Sequence, residues 1–116
     1  MSHFRAIHTI ELKPNIEHEL FEEFMVREFL PTVRSLPGCL QVEFLKGYKG
    51  NLVGVAQSAY DYAWMTLWES VEANNAVWSK DGVHHNPEEI VAVNAKLLYY
   101  AVNFSLVGGF TVEAKV

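Results

Sequence analysis

The chain has 116 residues, half of them hydrophobic and 20% charged, with a formal net charge of -5. That is the length of one domain, with enough apolar residues for a core. The acidic balance and the lack of any Lys/Arg run argue against nucleic acid as a partner, and no apolar run reaches the ~20 residues needed to cross a bilayer.

The first element is Phe4 to Leu12. Phe4, Ala6, His8, Ile10 and Leu12 share one face of an extended chain, and Arg5, Ile7, Thr9 and Glu11 the other. The single cysteine, Cys39, permits no intrachain disulfide, so a reducing, cytoplasmic setting is expected. The N-terminus lacks the apolar core of a signal peptide.

Lys13-Pro14-Asn15 reads as a turn with Asn15 as N-cap. The period then becomes helical. Leu20, Phe21, Phe24, Met25 and Phe29 form one stripe, and Glu17, Glu22, Glu23 and Arg27 face water. Pro31 is expected to kink or restart this helix, and Leu36-Pro37-Gly38 ends it. Cys39 to Leu45 alternates as a second strand, and Cys39 is expected to be an inert core thiol. Lys46 to Asn51 is a loop. Leu52 to Ala59, weakened by Gly54 and Ser58, is either loop or the arm of a long hairpin.

Tyr60 to Glu69 is a third strand, and it carries two of the three tryptophans. Tyr60, Tyr62, Trp64, Thr66 and Trp68 alternate with Asp61, Ala63, Met65, Leu67 and Glu69. The smaller side chains look like a helix-covered face, and the rings like an interface or a pocket wall. Ser70 is a good N-cap for the helix that follows, with Glu72 in its first turn, an Ala73, Ala76, Val77 and Trp78 stripe, and a stop at Asp81-Gly82. His84 and His85 come just beyond. Asn86-Pro87-Glu88-Glu89 starts a further helix carrying Ile90, Val91, Val93 and Leu97. Leu98 to Val107 reads as a fourth strand, broken by Gly108-Gly109, with a short terminal strand from Phe110 to Val116.

The order β-α-β-β-α-β, with one extra helix, predicts an α+β, ferredoxin-like fold in a single domain over residues 1–116. An antiparallel sheet covered by helices on one face must bury its other face elsewhere. A homodimer stacking two such faces does so symmetrically.

With Phe4–Leu12, with Leu36-Pro37-Gly38 before the second strand and with Leu67-Trp68-Glu69-Ser70 leading into a helix, the chain resembles the dimeric α+β barrel superfamily. That superfamily includes antibiotic-biosynthesis-type monooxygenases, haem-degrading monooxygenases, NIPSNAP-like proteins, stress-responsive barrel proteins and small polyketide cyclases. The resemblance implies several sites. His8, Trp78 and His84 or His85 stand where haem-degrading members have asparagine, tryptophan and histidine. His8, Trp78 and His84 look like the histidine, tyrosine and histidine of the cyclases. Trp64, Trp68 and Tyr62 are similar in kind to the pocket of cofactor-free quinone-forming monooxygenases. The expected catalytic residues are therefore His8, His84 and His85, and the expected ligand-binding residues Trp78, Trp68, Trp64 and Tyr62, with no metal.

From the residues alone, a histidine titrates near physiological pH and suits a general base, while His8 as a satisfied strand histidine and His84-His85 as a solvent-facing pair are the alternatives. The function expected is binding of a flat, hydrophobic or aromatic small molecule, with cofactor-free monooxygenation the most concrete form. A cyclase, a haem-binding or haem-degrading barrel and a non-catalytic stress-type barrel are the alternatives. No cofactor is expected, haem being the one the resemblance raises. The expected partner is a second copy of the chain, with no nucleic acid and no membrane.

Overall fold

Four strands make one antiparallel sheet in the computed structural model, which describes residues 2–85 and 87–115. They are β1 (Phe4–Leu12), β2 (Cys39–Lys46), β3 (Tyr62–Trp68) and β4 (Ala101–Thr111), in the spatial order β2-β3-β1-β4. Between β1 and β2 run α1 (His18–Phe24), a π turn (Met25–Phe29) and α2 (Leu30–Arg34). Between β3 and β4 run α3 (Val71–Trp78) and α4 (Glu88–Tyr100). This is the ferredoxin-like split βαβ arrangement expected from the element order. Among the described residues no helix is long and apolar enough to cross a membrane.

The sheet faces are the reverse of the sequence expectation. Phe4, His8 and Ile10 of β1 pair with Trp68, Trp64 and Tyr62 of β3, and this ring-bearing face lies under the helices. Phe21 packs against Tyr62 at 5.1 Å between ring centroids, Phe29 meets Trp64 edge-on at 5.1 Å, and Trp78 meets Trp68 edge-on at 6.3 Å. The reason is area. Each large ring removes ~150–250 Å² from water, so the strongest drive is to bury rings between layers. The polar handles of Trp68 and Tyr62 are satisfied locally. Trp68 Nε1 donates to Thr66 Oγ1 at 2.8 Å, and the Tyr62 hydroxyl donates to Glu22. Ala63, Met65 and Leu67 point to the outer face with Arg5, Ile7 and Thr9.

Several local expectations also shift. Asn15 is a turn residue at φ 68, and α1 begins three residues later with Glu17 at its cap position. Pro31 does restart the helix, as expected: it stands in the first turn of α2, which follows the π turn. It has no N–H and its ring crowds the carbonyl four residues back, and the π turn just before it absorbs the mismatch. There the Leu30 N–H donates to the Met25 carbonyl, five residues back. Residues 52–59 form no strand. An isolated Leu52–Val55 bridge closes a turn around Gly54 at φ 80. Ser70 caps α3 as expected, accepting from the Ala73 N–H at 3.1 Å. Asn86, the expected cap of α4, lies outside the described residues, and Pro87 takes the cap position. Leu98 to Tyr100 continue α4 rather than opening a strand, and β4 runs through Gly108-Gly109 to Thr111. Of the expected terminal strand only Phe110 and Thr111 are extended, as the end of β4; residues 112–115 form no strand, and Val116 lies outside the described residues.

Candidate functional site

The site is built where β1, β3 and β4 meet the helices. Register places His8 of β1 opposite Trp64 of β3 and Leu106 of β4. The three side chains therefore share the helix-facing side of the sheet, as a floor. Phe29, carried by the π turn, and Asn74 and Trp78, four residues apart on one face of α3, form walls with Asn94 of α4. These residues, with Phe4 and Gly109, line a cavity of about 360 Å³. Ligand pockets run from ~300 to 1,000 Å³, so this one suits a small, flat molecule.

Gly109 is required at its position. Phe4 leans diagonally across the strand pair, and a Cβ at Gly109 would come within 2.2 Å of its ring. The bare glycine gives the ring a seat on β4, an aromatic covering a strand glycine. Phe4 is thereby held as one wall of the cavity.

Electrostatics here are set by dryness. His8 is stacked on Trp64, with ring centroids 4.1 Å apart and planes 8° apart. Burial lowers its pKa from 6.5 to about 4, because the charged form loses hydration. The sequence expectation of a histidine poised near neutrality is thus corrected. His8 is neutral at pH 7, able to accept or donate a hydrogen bond and too weakly basic to hold a full proton. No charged side chain lines the cavity among the described residues.

The other expected site residues lie apart from it. Trp68 is fully buried beneath Trp78 and supports the wall from behind. Tyr62 sits further along β3, its hydroxyl between His18 Nδ1 at 3.2 Å and the Glu22 carboxylate. Burial, then the bond to Glu22, pushes the phenol above its ordinary pKa. The same bond, with Lys46 at 3.2 Å, holds Glu22 below the usual carboxylate range. His84 and His85 are exposed and border a shallow depression with Leu36, Pro37 and Glu89. Their backbone N–H groups donate to the Ala76 and Gly82 carbonyls, which finish the α3 stop. They do not meet His8, so the three-residue sets raised by the resemblance are not assembled around one cavity. Among the described residues no group of three or more His, Cys, Asp or Glu side chains stands close enough to hold a metal ion.

Asn74 and Asn94 were missed at the sequence level. The available signals were spacing and context. Asn74 precedes Trp78 by four residues and so shares its helix face, and Asn94 interrupts the buried Ile90, Val93 and Leu97 stripe.

Haem fits this site poorly. The cavity is small for a tetrapyrrole, His8 lies flat on Trp64, and neither His84 nor His85 reaches the cavity from its own side.

No protein-family model matches the chain, and no curated protein sequence does. Its likeness is to solved structures. SnoaB, a cofactor-independent oxygenase from Streptomyces nogalater, superposes with a TM-score of 0.69 at 12% identity, covering 100% of this chain and 98% of that one. The hydroxynitrile lyase of Passiflora edulis gives 0.70 at 9% identity, covering 99% and 97%. A dimeric ferredoxin-like protein of unknown function from Thermobifida fusca gives 0.61 at 15% identity, covering 96% and 92%. At these identities the likeness establishes the fold alone: this is an α+β protein with a ferredoxin-like fold. The ferredoxin-like fold expected from the sequence is the one observed.

Proposed function

We propose that this protein binds a flat, mostly apolar small molecule in the cavity bounded by His8, Trp64 and Trp78, and oxidises it as a cofactor-independent monooxygenase. The observation that carries the reading is a neutral imidazole, stacked on Trp64, within a ring-walled cavity. The similarity in fold to SnoaB, itself a cofactor-independent oxygenase, supports it. His8, Trp64 and Trp78 are the proposed site residues. Trp68 is a support, and His84 and His85 serve the helix stop.

A hydroxyarene needs no cofactor to react with O2 if its ring is electron-rich enough. An imidazole accepting a hydrogen bond from the hydroxyl raises electron density on the ring without taking the proton outright. For naphthol the balance is naphthol plus O2 giving naphthoquinone plus water. One ring C–H bond and the O–H bond break, a new C=O bond forms, and the second oxygen atom leaves as water. The ring loses four electrons and O2 gains four.

The test is oxygen uptake with naphthol in the presence of a metal chelator, followed together with quinone absorbance. One O2 consumed per quinone, reduced at least tenfold in His8→Phe, is the expected result. Naphthol binding without oxygen uptake would overturn the oxidation and leave the binding function standing.

Assembly belongs to the same reading. The outer sheet face carries Ile7 and Met65, with the exposed Leu45 and Phe110 at its margins. A second copy stacked on this face would cover them symmetrically, and similarity in fold to proteins described as dimeric supports this. The buried Cys39 thiol, its pKa raised by burial, is consistent with a reducing, cytoplasmic setting.

A further inference from the structure

We infer that the cavity selects by charge: it takes an uncharged planar ring bearing a hydroxyl or carbonyl group and rejects the carboxylate of the same ring. The inference rests on reading the cavity as the ligand site and adds the class of ligand it admits.

Among the described residues three polar side chains line the cavity, the His8 imidazole and the carboxamides of Asn74 and Asn94. None carries charge at pH 7, since burial keeps His8 neutral. Among the described residues no Lys or Arg lines the cavity. Lys96 of α4 is paired with Glu28 at 2.5 Å, and Arg5 of β1 belongs to the outer face. An anion entering between Phe4, Phe29, Trp64 and Trp78 would therefore lose hydration and gain no opposite charge, the costly way to bury a carboxylate. The net charge of -5 adds repulsion at longer range.

The amides set the other half of the selection. Each carboxamide offers a donor and an acceptor. A hydroxyl, itself donor and acceptor, can satisfy either one or the imidazole. A plain hydrocarbon would cover the two carboxamides and offer them no partner, and a polar group covered without a partner is a strong basis for rejecting an analogue.

The test uses three probes of one ring system, naphthol, naphthoate and naphthalene, titrated at pH 7 into isotope-labelled full-length protein. The readout is the indole N–H signals of Trp64 and Trp78. Naphthol is expected to move both signals and to bind at least tenfold more tightly than naphthoate and several-fold more tightly than naphthalene. In Asn94→Leu the preference for naphthol over naphthalene is expected to shrink while naphthalene still binds. Naphthoate binding at these signals as tightly as naphthol would overturn the charge selection and leave the cavity as the ligand site. Failure of all three probes to move either signal would overturn the cavity reading, and the inference with it.

Discussion

The imidazole of His8 lies flat on the indole of Trp64, 4.1 Å between centroids, because β1 and β3 pair in a register that sets the two residues opposite each other. A histidine in that place is neutral in the folded protein at pH 7 and titrates at about 4, against 6.5 unperturbed. The unfolded chain therefore binds more protons between those values. Stability contributed by the depressed pKa is complete above about pH 6.5 and is lost as pH falls through about 4. The difference amounts to at most ~3 kcal/mol. His8→Phe keeps the stacked ring and removes the titration. Urea midpoints measured from pH 7 to pH 4.5 should fall less steeply in His8→Phe than in the parent protein, and equal slopes would contradict the burial of this imidazole.

Gly109 and Phe4 form the second dependence. A methyl group at position 109 has no room while the Phe4 ring occupies its seat. Gly109→Ala should cost about 1–3 kcal/mol through overpacking and should weaken naphthol binding by tilting Phe4 into the cavity. Phe4→Leu in the same chain should recover much of the stability. A double-mutant cycle by denaturant unfolding measures this, and additive effects would show the two residues to be independent.

The inverted sheet faces separate folding from assembly. Trp68→Ala removes a fully buried ring beneath Trp78 and should cost ~3–5 kcal/mol, with the folded fraction retaining its assembly state. Met65→Arg places a charge on the outer face and should convert a dimer to a monomer in light scattering without comparable loss of stability. A dimer that survives Met65→Arg would rule out this face as the contact.

Tyr62 and the histidine pair should be silent in binding. Tyr62→Phe removes the hydroxyl held by Glu22 and His18 and should cost about 1 kcal/mol. His84→Ala should be close to neutral. Both variants should bind naphthol as the parent does, by calorimetry. A tenfold loss in either would require the site to extend beyond the cavity.

The fold was legible because its signals are local. The alternation of Phe4 to Leu12, the Ser70 cap and the order of elements all follow from short-range periodicity. The facing of β3 was not, because alternation separates two faces without saying which one the helices cover. That choice is made by packing, and the rings of Phe21, Phe29 and Trp78 decide it. Gly108-Gly109 read as a break because the reason for bare backbone there, the Phe4 ring, comes from another strand. Of the site, His8, Trp64 and Trp78 stood out as residue types and meet in space. His84 and His85 stood out equally and face another depression, since adjacency to a helix stop carries no information about which surface the loop joins.

If the cavity at His8 and Trp64 is the ligand site, a crystal structure of the protein with naphthol bound will show the ring between Phe4, Trp64 and Trp78, with its hydroxyl within hydrogen-bond reach of His8, Asn74 or Asn94. Naphthol seated in the depression beside His84 and His85, with the cavity empty, would contradict it.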